Sequence, residues 1–305
     1  MLRAWFISAA LVAASSLCGP AVAQEPFRLD RAFGAPDNLT LSVNYRTRYE
    51  FQDGRFRSGF LGSDQILVER LLLGAEYGFG GLYVGAELQD SRQQLADAGT
   101  PIGTDDVNAV ELLRGYIGYR TEDAFRAGDS LDVTVGRITI DAGSRRLTAR
   151  NRFRNTINGF AGVHARWTGP GGDALQGFYT LPVARRPTDA ASLLNNEIDI
   201  DEENINQRFW ALHYTRPEIF GDLTGEIYIF GLQEEDREEL QTRDRDIFTP
   251  GFRLYKDKAA GAFDYEIETA LQIGQSALST SPDAPLLDTF AQSYCRRRRV
   301  FHALS

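Results

Sequence analysis

Residues 38–52 of the chain read NLTLSVNYRTRYEFQ. The odd positions are Leu39, Leu41, Val43, Tyr45, Thr47, Tyr49 and Phe51, and the even ones are Asn38, Thr40, Ser42, Asn44, Arg46, Arg48 and Glu50. Successive side chains of a strand point to opposite faces, so the stretch has one apolar face, aromatic towards one end, and one wholly polar face. Globular strands usually run about 5 or 6 residues, and this alternation is unbroken through 38–52. Such a strand needs an apolar environment along its whole length on one side and water on the other.

The pattern returns late in the chain. In FDYEIETALQIGQ, Phe263, Tyr265, Ile267, Thr269, Leu271 and Ile273 share one face, with Asp264, Glu266, Glu268, Gln272 and Gln275 on or near the other. Period-2 stretches predict strands at 38–52, 64–78, 81–91, 108–121, 130–140, 160–168, 174–184, 207–216, 223–233, 248–257 and 262–275, with a twelfth starting near 288. A soluble sandwich also alternates, but the connections here are long and short by turns throughout. Compact breakers such as FGG at 79–81, GPGGD at 169–173 and RPEIFGD at 216–222 make the short ones. An outer-membrane barrel has this rhythm, with short periplasmic turns and long extracellular loops; a Greek-key sandwich has no reason for it. The expected fold class is all-β: an antiparallel transmembrane β-barrel.

The N-terminus agrees. MLRAWFISAALVAASSLCGPAVAQ has one basic residue, an apolar run and an Ala21-Val22-Ala23 cleavage signal, which reads as a secretory signal peptide over 1–23. Leu17 before Cys18 argues against a lipoprotein signal. No later apolar run reaches the roughly 18 residues of a membrane helix. The remaining chain has one cysteine, Cys295, so no internal disulfide is possible, and no His/Cys cluster has metal-ligand spacing. No cofactor, metal or nucleic acid is expected. With 24–37 as a periplasmic segment, strand parity puts the long connections outside the cell and makes 38–294 the barrel. One irregularity is Glu69, which shares parity with Leu67, Leu71 and Leu73; a position near the membrane interface or a local bulge would accommodate it.

The interior face collects Arg46, Arg48, Glu50, Glu76, Glu87, Gln89, Arg114, His164 and Arg166, which any water-filled barrel would carry. One long connection stands out. Residues 141–159, DAGSRRLTARNRFRNTING, interleave Arg145, Arg146, Arg150, Arg152 and Arg154 with Leu147, Phe153 and Ile157, in a chain whose formal net charge is −9. Apolar anchors with basic groups predict a loop folded into the lumen, where its arginines narrow the pore and attract anions. The connections holding NEIDIDEEN (196–204) and QEEDREELQTRDRD (233–246) are acidic and read as solvated surface loops. The expected pore lining is Arg46, Arg48, Arg114, Arg145, Arg146, Arg150, Arg152, Arg154 and Arg166. An enzyme barrel would need a nucleophile and a base. Ser144 and His164 are present, but G-x-S-x-G is absent and no acidic partner is evident, so no catalytic residue is assigned.

The segment GRITIDAGSRRLTARNRFRNTINGFAGVHARW (136–167), with LGAEYGFGGLYVGAELQDSRQ (73–93) and VELLRGYIGYR (110–120), resembles the alginate export family of outer-membrane porins. The resemblance covers roughly residues 28–290. It implies a single β-barrel in the bacterial outer membrane whose arginine-lined lumen passes an anionic polysaccharide, with Arg145, Arg146, Arg150, Arg152 and Arg154 meeting its carboxylates. The planar guanidinium fork suits a carboxylate. The partners implied are that polysaccharide, outer-membrane lipid and lipopolysaccharide, the barrel-assembly machinery, and a polysaccharide-synthesis or uptake complex. The alternative is a general small-solute porin.

The C-terminus departs from the resemblance, which implies eighteen strands where about eleven to twelve are readable. Strand character is expected to stop after Tyr294, because Arg296–Arg299 suit no lipid-facing strand. Residues 295–305 therefore read as an aberrant basic tail. Such a tail arises either naturally on a smaller barrel or, the favoured reading, from a frameshift or early stop that leaves the barrel truncated and poor at inserting.

Overall fold

A strand's unpaired N–H and C=O groups need a neighbour, and here the neighbours are supplied in sequence order. The computed structural model describes residues 34–54, 62–236, 241–257 and 263–300; the expected signal peptide lies outside them. The strands are β1 (Leu39–Gln52), β2 (Asp64–Phe79), β3 (Leu82–Gln94), β4 (Asn108–Glu122), β5 (Ser130–Ile138), β6 (Phe160–Thr168), β7 (Ala174–Ala184), β8 (Glu202–Glu203), β9 (Gln207–Phe220), β10 (Leu223–Glu234), β11 (Asp246–Lys256), β12 (Phe263–Ala277) and β13 (Leu286–Val300). One short helix, α1 (Ala190–Leu194), and the two-residue β8 lie in the connection between β7 and β9. All pairs are antiparallel and each long strand pairs with the next; β8 pairs only with β7. Among the described residues the sheet is open between β1 and β13.

The connections separate into two ends. Among the described residues, 80–81, 123–129, 169–173, 221–222 and 257 lie at a turn end; 53–54, 62–63, 95–107, 139–159, 185–206, 235–236, 241–245 and 278–285 lie at a loop end. The outward face is apolar and exposed, with Val43, Leu73, Val84, Ile117, Val135, Leu212 and Ile227 along it. Aromatics sit at both margins: Tyr49, Phe51, Phe248 and Phe290 towards the loop end, and Tyr77, Phe79, Tyr119, Phe220 and Phe263 towards the turn end. An apolar band between two aromatic girdles is the outer surface of a membrane barrel.

Tight pairing across the inner face depends on glycine. Tyr83 faces Gly118 and Tyr116 faces Gly85 in the β3–β4 register, and each ring lies where a Cβ on the facing glycine would stand. The two rings meet edge to face, 6.1 Å between centroids.

Three expectations change. The last strand does not stop after Tyr294: β13 runs to Val300, pairing Arg296 with Ile267 and Arg297 with Glu266. Alternation turns Arg297 inward, where its guanidinium lies 3.1 Å from the Glu266 carboxylate, and leaves Arg296 exposed on the outward face near the turn end, where a charge costs least. Glu69 is not re-aimed by a bulge, since the register is unbroken on both sides of it. It stays on the outer face, accepting hydrogen bonds from Tyr45 (2.6 Å) and Gln94 (3.0 Å) near the loop end. The connection holding 196–204 is solvated at 197–200 and at 202–203, as expected, but is anchored at two points. Asp201 is 7% exposed, and Asn204 and Leu193 are buried with it.

Candidate functional site

β5 ends at Ile138, and the chain then turns inward instead of out to solvent. Ile138, Ile140 and Ala142 pack into a buried cluster with Phe160, Phe178, Ala211, Tyr228, Phe230 and Ala270, contributed by β6 to β12. The inner face is therefore not uniformly polar: where 139–142 covers it, it is aromatic. Ile157 pins the far end of the same segment against Leu72 and Leu113.

Between these anchors the backbone is stitched to the opposite wall. Asn155 is fully buried, and its Nδ2 donates to the carbonyls of Asp106 (2.8 Å), Glu69 (3.0 Å) and Arg92 (3.3 Å). The Asn155 and Thr156 amides donate to the Asp105 carbonyl at 3.1 and 3.2 Å. Ser91 Oγ donates to the Asn155 carbonyl at 2.7 Å, and the Ile157 amide donates to Gln89 Oε1 at 3.1 Å. A buried backbone group without a partner costs about 1–3 kcal/mol, so this set fixes the path of 150–157 closely.

The arginines divide into two groups. On one side, Arg146 donates to Glu266 Oε1 at 2.8 Å and also to Glu268. Ser144 Oγ donates to Glu268 at 2.9 Å, and Tyr228 donates to the same carboxylate at 3.0 Å. Glu266 is 2% exposed and is shared with Arg253 (2.9 Å) and Arg297 (3.1 Å). Its hydrogen bond from Arg146, together with the Glu268 charge, pushes the Arg146 guanidinium further above its ordinary value despite partial burial. Next to this cluster, His213 lies 3.5 Å from Glu226 beneath Gly143. Gly143 has φ +50°, and a Cβ there would stand 2.7 Å from His213 Nε2, so the turn approaches this wall as closely as only glycine allows.

On the other side, Arg150 grips Glu87 of β3 bidentately at 2.6 and 2.9 Å and also reaches Thr139 at 3.1 Å. Arg114 lies 3.7 Å from the same carboxylate. Arg154 pairs with Asp105 at 2.9 Å, which Arg185 also holds at 2.6 Å. Arg46 donates to the carbonyls of Arg152 and Arg154, the latter at 2.6 Å. Arg48 donates to the Phe153 carbonyl, lies 4.9 Å from that ring's centroid, and pairs with Glu50. The segment thus spans from β12 to β1–β4, and the sheet wraps around it.

Of the nine arginines expected to line the pore, seven converge on this segment: Arg46, Arg48, Arg114, Arg146, Arg150, Arg152 and Arg154. Arg145 is exposed and pairs locally with Asp141 at 2.8 Å. Arg166 is exposed on the inner face nearer the turn end, with no ion pair recorded among the described residues. Arg70 was not anticipated. It is 5% exposed, sits among Arg46, Arg48 and Arg150, and donates to the Arg154 carbonyl at 3.2 Å. Its even parity in β2 carried the signal, hidden by the apolar run ILVERLLLG around it. Ser144 and His164 do not meet: Ser144 is held by Glu268, while His164 Nε2 lies 2.9 Å from Gln176 Nε2.

A second connection meets the end of the first, Arg185 donating to Asn158 Oδ1 at 2.7 Å. Residues 185–206 cross from β7 to β3, where Asn196 Nδ2 donates to the Gln93 carbonyl (2.9 Å) and Gln93 Nε2 donates to the Leu194 carbonyl (2.7 Å). Asp201 accepts from Asn108 Nδ2 (2.7 Å) and the Arg186 amide (2.8 Å). Burial, reinforced by the nearby Glu111 charge, pushes the Asp201 carboxyl up to about 6.

The geometry is an exposed apolar belt outside, and inside a crossing segment tied to both walls by guanidinium–carboxylate pairs. No curated protein matches the chain. The sequence profile of the alginate export family matches residues 37–286, which include every strand from β1 to β12 and the whole crossing segment. The chain belongs to the alginate export family.

Proposed function

We propose that the chain is an outer-membrane channel whose β1–β4 side forms a positive path for an anionic polysaccharide. The observation that carries this is a local imbalance. Arg46, Arg48, Arg70, Arg114, Arg150, Arg152 and Arg154 gather there against Glu50, Glu87, Asp105 and Asp106. The wall formed by β10–β13 differs, because Arg146, Arg253 and Arg297 answer Glu226, Glu266 and Glu268 there. The excess guanidinium on one wall favours carboxylates in a narrow, low-dielectric passage. Several of these arginines are occupied in holding the segment, so the groups left to meet a passing carboxylate are chiefly Arg152 and the exposed parts of Arg154 and Arg48. The apolar belt and its two girdles support an outer-membrane location.

Planar-bilayer recordings of the full-length protein test the reading. Anion selectivity and a concentration-dependent block by oligouronate are expected, with both reduced when Arg48, Arg152 and Arg154 are replaced by Ala. Cation selectivity, or selectivity unaltered by the triple replacement, would overturn it. Passage of neutral sugars at the same rate as oligouronates would favour a small-solute porin instead.

A further inference from the structure

We propose that a cavity at the loop end, between the tip of the crossing segment and β9–β13, is a subsite for one uronic-acid residue of a saccharide chain. The proposal rests on the anionic-polysaccharide reading and deepens it, by assigning a wall that the arginine cluster does not use. The cavity measures about 560 Å³, within the roughly 300–1,000 Å³ typical of small-ligand sites.

Three kinds of group line it. Phe209 and Phe230 form an apolar floor, their rings stacked at 22° with centroids 6.0 Å apart, and Leu147 closes one side from the segment's exposed tip. Thr249 and Gln272 add a hydroxyl and an amide, with Gln272 Nε2 donating to Thr249 Oγ1 at 3.3 Å. Two arginines lie at the rim and differ. Arg245 is clamped by Glu234 at 2.6 and 2.7 Å, whereas Arg243 is exposed and has no carboxylate partner recorded among the described residues.

The combination selects a ligand class. An inorganic anion uses only Arg243, and an alkyl group uses only the floor. A pyranose ring bearing one carboxylate uses all three. Its C–H face packs on Phe209 and Leu147, its hydroxyls bond Thr249 and Gln272, and its carboxylate meets the guanidinium fork. Leu147 follows Arg146 directly, so a residue seated here lies beside the crossing segment at the mouth of the passage.

Calorimetric titration of the full-length protein in micelles tests this with an alginate trisaccharide and the same trisaccharide after reduction of its carboxyls to alcohols. Arg243→Ala is expected to weaken the acidic sugar about tenfold, the loss of one charge-assisted contact, and to leave the reduced sugar unchanged. Thr249→Val and Leu147→Ser are expected to weaken both, and heat-modified gel mobility shows whether each variant is folded. If Arg243→Ala and Thr249→Val bind the acidic sugar like the wild type while Arg152→Ala weakens it, the subsite is overturned and the arginine path stands. If Arg243→Ala weakens both sugars equally, the carboxylate assignment falls. If the wild-type protein binds neither sugar and its bilayer currents are not anion-selective, the parent reading falls with it.

Discussion

Asp201 shows how far one residue departs from what its neighbourhood in sequence implies. It sits in NEIDIDEEN, a run whose composition reads as solvated and whose neighbours are exposed, yet within the β7–β9 connection it is buried against Asn108, Arg186 and Glu111. Its carboxyl titrates near 6 instead of 3.8, so the fold prefers the protonated form. That preference is complete below the ordinary value and is lost as pH rises through about 6. A displacement of this size is worth roughly 3 kcal/mol. Urea unfolding followed by tryptophan fluorescence should therefore show the wild-type protein losing stability between about pH 4 and pH 7 on this account. Asp201→Asn keeps an acceptor for both hydrogen bonds and should flatten the slope. An identical slope in the variant would mean that the carboxyl titrates as an exposed one.

The elements were legible to different degrees, and the reason is physical. Strand ends in the sequence lie within a few residues of those observed because an outward row facing lipid tolerates almost no polar interruption, which keeps period 2 clean from Leu39 to Phe51 and from Phe263 to Ile273. β2 is the exception. Its inner row includes Val68 and Leu72, both buried and Leu72 packed on Ile157, so alternation vanishes and Arg70 is lost in the run. The inward course of 141–159 was readable from basic groups interleaved with Leu147, Phe153 and Ile157. Its partners were not, because Glu87, Glu266 and Glu268 come from strands far along the chain. Those partners make the segment a brace with two ionic ends. Arg146→Ala frees the end at β12, and Arg150→Ala removes a bidentate buried contact of the kind worth about 3 kcal/mol when broken. Each replacement should raise single-channel conductance, the double replacement more, while Arg145→Ala, whose ion pair among the described residues is with Asp141 in its own turn, leaves conductance unaltered. Equal conductance in the wild type and all four variants would show that the segment does not limit the passage.

At the scale of the whole molecule, the formal charge of −9 describes neither the outer belt nor the crossing segment. The outer surface answers to lipid, and its composition is ordered by depth. On β2 the outward row runs Leu67, Glu69, Leu71, Leu73, Ala75, Tyr77 and Phe79. Glu69 is tolerated near the loop end with Tyr45 and Gln94 as donors, whereas Leu73 faces outward between Val43 and Leu88 in the middle of the belt. An arginine on the lipid face of a barrel costs about 2–4 kcal/mol at the midplane and about 0–1 kcal/mol near an interface. Leu73→Arg should accordingly reduce the fraction of chain that folds into lipid vesicles far more than Tyr77→Arg does, read as the heat-modifiable band on a gel. In detergent micelles, which deform around a charge more easily than a bilayer, the gap between the two variants should narrow. If both variants fold into vesicles equally well, then the row from Val43 through Leu73 to Leu88 does not face the membrane core, and the outward face must be covered by protein instead of lipid.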